Sequence, residues 1–348
     1  MHVSAPVSRR HLVRLGAVGA GAAAFGPLLA ACSAPAPAGA KASGSPGKGG
    51  TLRFARTTGP TSLDPHNTIL AGDVYTLNQI FEPLYTTAVD GSLQPHLATG
   101  HTVSADGKTY TFTIRPKVTF SDGSPLTAAD VAYSLRRAQK SNGPLSFLDG
   151  VISSVTASGT SKVVVRLTQA WSPFVSDISA FSNSIVPDNL QGKTAAEFFA
   201  KPVGTGPFTL ESWVKGGTVT LARNNSYWGK GGPYLDKVVF SVVADDNQLV
   251  QQLQAGQVEV IDSVPQANAG SLASAGGVSV LKSPQWSVDL LLLNARFKPF
   301  ADRHVRRAVS HAVNRAQIVK ATTFGTAAAA TSFFPSSLQY YDSGTTIL

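Results

Sequence analysis

An α/β fold is predicted by three observations on the sequence. Short runs of alternating or wholly apolar residues read as strands, other segments carry helical spacing, and the two kinds interleave with no internal repeat of fixed period. Thr51, Leu52, Arg53, Phe54 and Ala55 alternate as a strand should, and a polar, Gly/Pro-punctuated loop follows from Thr57 through His66. A second strand is expected where Tyr110, Phe112 and Ile114 alternate with threonines. Thr127 then caps a helix, with Asp130 three residues on as the reciprocal acid of a capping box and Val131, Leu135 and Ala138 on the apolar face. Residues 163–167, 219–221 and 238–242 read as further strands, and residues 247–255 as a helix stopped by Gly256. Leu290, Leu291, Leu292, Leu293 and Asn294 are expected to form a short, buried strand. Asp302 should cap one helix running to about residue 321, with Val305, Val309, Ala312, Ala316 and Val319 near helical spacing.

Ahead of this folded part lies an export-and-anchor pattern. Arg9, Arg10 and Arg14 form a cationic head, a short Gly/Ala-rich stretch interrupted by Pro27 follows, and small residues precede Cys32, the single cysteine of the chain. The stretch is too short and too weakly apolar for a membrane span. The segment resembles a twin-arginine lipoprotein signal, which implies cleavage after residue 31 and lipid on the sulfur of Cys32. Residues 33–50, rich in Ala, Pro, Gly, Ser and Lys, then read as a flexible tether. Gly47, Lys48 and Gly49 fall short of a phosphate loop, because no strand precedes them and no Ser or Thr follows the lysine.

Composition narrows the function. One cysteine excludes an intramolecular disulfide and a cysteine-based metal site. The net charge of +9 loses three arginines with the signal, and no Lys/Arg run remains, which argues against nucleic acid as a partner. There is no Gly-x-Ser-x-Gly elbow, no His-Glu-x-x-His and no complete phosphate loop. His304 and His311 share a helix face but stand too far apart to hold one metal, and Asp245, Asp246 and Asp262 suit caps and turns. No enzyme and no cofactor is expected.

A set of short blocks in order carries a family resemblance: Gly49-Gly50-Thr51-Leu52, Ser62-Leu63-Asp64-Pro65-His66, Phe81-Glu82-Pro83-Leu84-Tyr85, and Phe120-Ser121-Asp122-Gly123 with Ala129-Asp130-Val131-Ala132-Tyr133-Ser134. Val203-Gly204-Thr205-Gly206-Pro207-Phe208, Arg223-Asn224 with Tyr227-Trp228, Pro233-Tyr234-Leu235-Asp236, and the stretch from Leu253 to Val260 continue it. Leu293-Asn294, Val305-Arg306-Arg307-Ala308-Val309 and Asn314-Arg315 complete it. The chain resembles the extracellular solute-binding proteins of family 5, the peptide and nickel ABC-importer receptors.

That resemblance implies a two-lobed, periplasmic-binding-protein-like clamp of type II with an accessory subdomain, closing by hinge motion on a solute. It divides the chain into signal peptide (1–31), anchor and tether (32–50), first lobe with accessory subdomain (51–288) and the start of a second lobe (289–348), which is expected to be incomplete. The implied function is capture of oligopeptides or dipeptides for a membrane permease and its ATPase, by a monomer lipid-anchored on the outer face of the cytoplasmic membrane. Nickel chelates, oligosaccharides and other solutes stay open, as do a non-transport envelope lipoprotein and a truncated, inactive fragment. The loop Thr57, Thr58, Gly59, Pro60, Thr61 and Ser62 is the expected ligand contact, where main-chain groups would pair with an extended peptide. Trp286, at the expected lobe crossing, either stacks on ligand or packs in a core. Gly204, Thr205, Gly206 and Pro207 are expected to build a rigid turn in which glycine supplies positive φ, and Tyr227 and Trp228 to pack.

Overall fold

The computed structural model describes residues 47–344 apart from 89, 283–286, 337 and 339–340. The export pattern with Cys32, and Trp286, lie outside the described residues. Strand β1 (Thr51–Arg56) leads to helix α1 (Ala71–Ile80), the hairpin β2 (Tyr85–Thr87) and β3 (Leu93–Pro95), then β4 (Ala98–Val103), β5 (Thr109–Ile114) and helix α2 (Ala128–Lys140). Next come β6 (Ile152–Ser158), β7 (Lys162–Leu167), the short helices α3 (Phe174–Asp177) and α4 (Ala195–Ala200), and β8 (Phe208–Trp213), β9 (Val219–Arg223) and β10 (Lys237–Val242). Helix α5 (Asp246–Gln254), strand β11 (Val260–Ile261) and helices α6 (Ala269–Ser274), α7 (Lys298–Ala301), α8 (Arg303–Ala312) and α9 (Arg315–Thr323) follow.

Two sheets organise these elements. The first is mixed, in the order β11-β1-β10-β9-β8, with β1 parallel to both β10 and β11 and the rest antiparallel. Its one face, carrying Phe54, Val238, Phe240, Val219 and Leu221, packs on Leu77, Ile80 and Phe81 at the end of α1. The other face presents Ala55 to Leu249 of α5 and to Val258. The second sheet is an antiparallel array, β4-β5-β7-β6. Tyr110, Phe112 and Ile114 of β5 and Val163, Val165 and Leu167 of β7 alternate inward and meet Val131 and Leu135 of α2. Threonine and charged residues fill the alternate positions, as expected for a sheet with one buried face.

Local signals account for the start of α2. The Asp130 carboxylate accepts from the Thr127 N–H and hydroxyl, each at 2.7 Å, and its second oxygen accepts the Asp188 N–H at 2.8 Å. Asp245 likewise caps α5, accepting the Gln248 N–H at 2.8 Å, and Gly256 follows that helix at φ +66°.

Two expectations fail. Leu290, Leu291 and Leu292 form no strand and are exposed, because an apolar run becomes a buried strand only beside a second strand, and none pairs with it among the described residues. The single helix after Asp302 is two, α8 and α9. Asp302 caps the first through the His304 N–H at 2.8 Å, but Val313 is extended (φ −82°, ψ 110°) and Asn314 caps a fresh helix by accepting the Gln317 N–H at 3.0 Å. An asparagine competing for backbone N–H groups starts helices better than it continues them. Among the described residues no helix is long and apolar enough to cross a membrane.

Asp149 is the least comfortable charge in the second core. It is buried, neither carboxylate oxygen has a partner of good hydrogen-bond geometry among the described residues, and its pKa is pushed up to about 7 by burial, with the Asn183 side chain easing and Asp177 reinforcing the shift. Folding therefore opposes its ionisation. The penalty is absent below the unfolded value near 3.8, grows as pH rises toward 7, and is constant above. Asp149→Asn should raise stability by about 2–4 kcal/mol above pH 7 and by nothing near pH 3.5. Thermal melts of both proteins from pH 3.5 to 8 check this; parallel curves would show that Asp149 is ionised at no cost.

Candidate functional site

The parallel strands β10, β1 and β11 end together, so the chain leaves the first sheet at Arg56, Val242 and Ile261 along one edge. Ligands of open α/β sheets bind outside the carboxyl ends of parallel strands, which makes this edge the candidate site. The expected ligand loop, residues 57–62, starts here. Thr58 and Thr61 are exposed, Thr57, Gly59 and Ser62 half-buried, and Pro60 buried.

The loop is held from below by helix α1. Asp73, fully buried in the first turn of α1, accepts the Thr61 N–H at 2.5 Å and the Ser62 N–H at 3.4 Å, and also binds the Thr68 hydroxyl. The main-chain donors of Thr61 and Ser62 are thus aimed inward. The exposed residues of the loop are Thr58 and Thr61. Two glycines permit the close approach: a Cβ on Gly72 would stand 2.7 Å from the Gly59 carbonyl oxygen and 3.2 Å from that of Thr58, and one on Gly59 would stand 2.5 Å from Val242 Cγ2.

Behind the loop, the block Ser62-Leu63-Asp64-Pro65-His66 is a structural latch. Arg137 of α2 grips Asp64 with two bonds of 2.6 and 2.7 Å and donates to His66 Nδ1 at 2.6 Å. Arginine only donates, so His66 Nδ1 accepts and Nε2–H donates to the Ser184 carbonyl at 3.0 Å. Burial, and then the Arg137 charge, push His66 down to about 4, so it is neutral across the physiological range. Burial works against the Asp64 charge, but Arg137 more than offsets it and holds the carboxyl below its usual range. A depression of about 330 Å³ lies against this latch, lined by Asn67, Tyr133, Arg136, Arg137, Lys140 and Ser141. Its arginines are committed: Arg136 donates to the Val155 carbonyl at 2.9 Å and Arg137 to the latch.

The other blocks singled out in the sequence are framework as well. Glu82, buried, accepts from His96 Nε2 at 2.8 Å, the Tyr227 hydroxyl at 2.9 Å and Trp228 Nε1 at 2.8 Å. Burial and that carboxylate push the Tyr227 phenol up. Gly204 and Gly206 do not have positive φ, contrary to expectation. They are glycine because a Cβ would stand 1.9 and 2.8 Å from the Ile80 carbonyl oxygen at the end of α1. His304 and His311 lie exposed on α8, and no cluster of three or more metal-type ligands occurs among the described residues.

Sequence reading missed Arg56, Asp73 and Gly72. Arg56 had a visible signal, since alternation places it on the same sheet face as Leu52 and Phe54, where a charge is out of place. Asp73 had none, because an acid in a first helical turn is ordinary.

Replacing Gly72 by alanine sets two effects in opposition. Helix propensity favours alanine by at most about 1 kcal/mol, whereas the contact with the loop carbonyls forces a shift worth about 1–3 kcal/mol. Gly72→Ala should therefore lower the melting temperature by a few degrees, and an equal or higher melting temperature would show that the loop yields freely.

Comparison with known proteins places this geometry. Residues 92–347 match the family described as bacterial extracellular solute-binding proteins, family 5 middle. The glutathione-binding protein GsiB of Salmonella paratyphi A is 30% identical over 285 residues, 81% of this chain and 56% of that protein. The chain thus spans little more than half the length of that relative. Among solved structures, DppA of Helicobacter pylori in complex with the peptide STSA superposes with a TM-score of 0.75 at 26% identity, over 86% of this chain and 63% of that one. AppA of Bacillus subtilis, an oligopeptide-binding protein in complex with a nonapeptide, gives 0.72 at 26% identity over 86% and 60%. The fold is the α/β fold of the two-lobed, type II binding-protein clamp, and the chain belongs to the bacterial extracellular solute-binding proteins of family 5.

Proposed function

We propose that this chain is the solute-capturing part of an ABC-importer receptor for peptide-type solutes, held outside the cytoplasmic membrane by lipid on Cys32. The observation that carries this reading is the loop at the carboxyl edge of β1, β10 and β11, fixed by Asp73 and exposed at Thr58 and Thr61. Main-chain groups at such an edge recognise an extended peptide without reading its side chains. The named relatives bind glutathione, a tetrapeptide and a nonapeptide, which supports the same class of solute here. In this reading residues 51–288 supply one wall of the cleft and residues 289–348 begin the other, with Trp286 at the crossing. A membrane permease and its ATPase receive the solute.

Binding to the native state raises stability by mass action, about 2.7 kcal/mol when ligand is a hundredfold above its dissociation constant. A melt of the purified chain against rising millimolar concentrations of a mixed short-peptide pool should shift upward by a few degrees, in step with concentration. A transition indifferent to peptide throughout that range would refute the peptide reading.

A further inference from the structure

Arg56, the last residue of β1, has no exposed surface at all. Its Nη2 donates to Thr76 Oγ1 at 2.9 Å, but Nε and Nη1 have no acceptor among the described residues. The guanidinium carbon lies 4.4 Å from the centre of the Phe240 ring and 5.7 Å from that of Tyr75. Aromatic faces soften the isolation of a buried cation but do not replace hydrogen-bond acceptors. A buried guanidinium with two unpaired nitrogens is costly to keep, and it stands one residue before the candidate ligand loop.

The surroundings point the same way. Ala55 pairs with Ile261, so Asp262 is the next residue in register beside Arg56, and it is the strongest opposing charge that Arg56 meets, although the two form no ion pair. Burial pushes the Asp262 carboxyl up, with Arg56 drawing it partly back. Asp246, whose charge Asp262 also feels, keeps a buried Oδ1 without a hydrogen bond. Unused donors at Arg56 and incompletely paired carboxylates thus gather at the carboxyl edge. Tyr75, whose ring lies 5.7 Å from the guanidinium, is itself 45% exposed, and its side chain would have to turn aside for a solute to reach Arg56.

Resting on the peptide-receptor reading above, we propose that Arg56 anchors a carboxylate of the bound solute through its unpaired N–H groups. Charge-assisted bonds to a carboxylate are among the stronger available to a guanidinium. Asp262 and Asp246 repel a doubly charged phosphate more strongly than a singly charged carboxylate, and a solute that also carries an ammonium offsets part of that repulsion.

Calorimetric titration of the purified chain with three peptides tests this: trialanine, trialaninamide, and Ala-Glu-Ala amide. All carry the same ammonium, and they differ in having a terminal carboxylate, none, or a side-chain carboxylate. At least one carboxylate-bearing peptide should bind about tenfold or more tightly than trialaninamide, and which one does so identifies the source of the anion. Arg56→Met should erase the difference and Arg56→Lys should retain part of it. Equal binding of all three by the native chain overturns the proposal while leaving the peptide reading intact, whether or not the variants fold. A preference that survives in a folded Arg56→Met also overturns it, and failure of all three to bind overturns both readings.

Discussion

Strand β1 is bonded on both sides by strands from far along the chain, and the rest of the architecture depends on that double pairing. Gly50 donates to Asp236, 186 residues away, at 2.9 Å, and the Arg53 N–H donates to Glu259, 206 residues away, at 2.7 Å. Such pairings carry a large loop-closure cost before any contact rewards it, so they hold only if the sheet they complete is well packed. The packing is supplied on two fronts, by α1 over Phe54 and Phe240 and by α5 over Ala55. Once β1 is seated, its parallel neighbours fix where three chain segments leave the sheet, and the candidate site is the place where they leave.

The side chains that tie this sheet to its surroundings are largely those of the blocks that carry the family resemblance. Arg137 reaches from α2 to Asp64 and His66, joining the helix of the second core to the loop of the first. Glu82 collects His96, Tyr227 and Trp228, and Arg115 lies over Trp228 at 4.9 Å while donating to the His96 carbonyl at 2.7 Å. Asp236 accepts from Gly50 and Arg223, closing the start of β1 on the end of β9. Apart from the exposed Asp236, each is a buried or half-buried polar group with its partners in place, the condition under which such groups define one arrangement rather than destabilise it. The recognisable blocks therefore describe the scaffold more than the ligand.

This explains which parts of the molecule were legible in the sequence. Alternation around Tyr110, Phe112 and Ile114, and the spacing of Thr127, Asp130, Val131 and Leu135, express local rules that tertiary structure reinforced. The loop at residues 57–62 was legible as a loop, and the expectation that it touches ligand came from family likeness alone. What local rules could not supply were relations between distant residues. Nothing near Gly204 announces that Ile80 will press against it, and nothing near Thr61 announces Asp73. Leu290 and its neighbours misled for the same reason: hydropathy says what a residue favours, whereas a strand requires a second strand. Val313 and Asn314 broke a helix that apolar spacing ran straight through, because periodicity registers faces and ignores a side chain that caps.

The physical division within the loop has a consequence for recognition. Asp73 takes up the main-chain donors of Thr61 and Ser62 and the Thr68 hydroxyl, and Gly59 and Gly72 let helix and loop touch without intervening side chains. A segment fixed from inside has already lost its conformational freedom on folding, so in the proposed receptor little would remain to be lost when a solute arrives. Thr58 and Thr61, the exposed residues of the loop, are then held in a set geometry. Recognition through the main chain alone accepts many peptides, and discrimination must come from charge placed beside it. In the proposed receptor the carboxyl edge would supply that charge in Arg56, Asp246 and Asp262, each at the end of a strand or the start of a helix and therefore as fixed as the sheet itself.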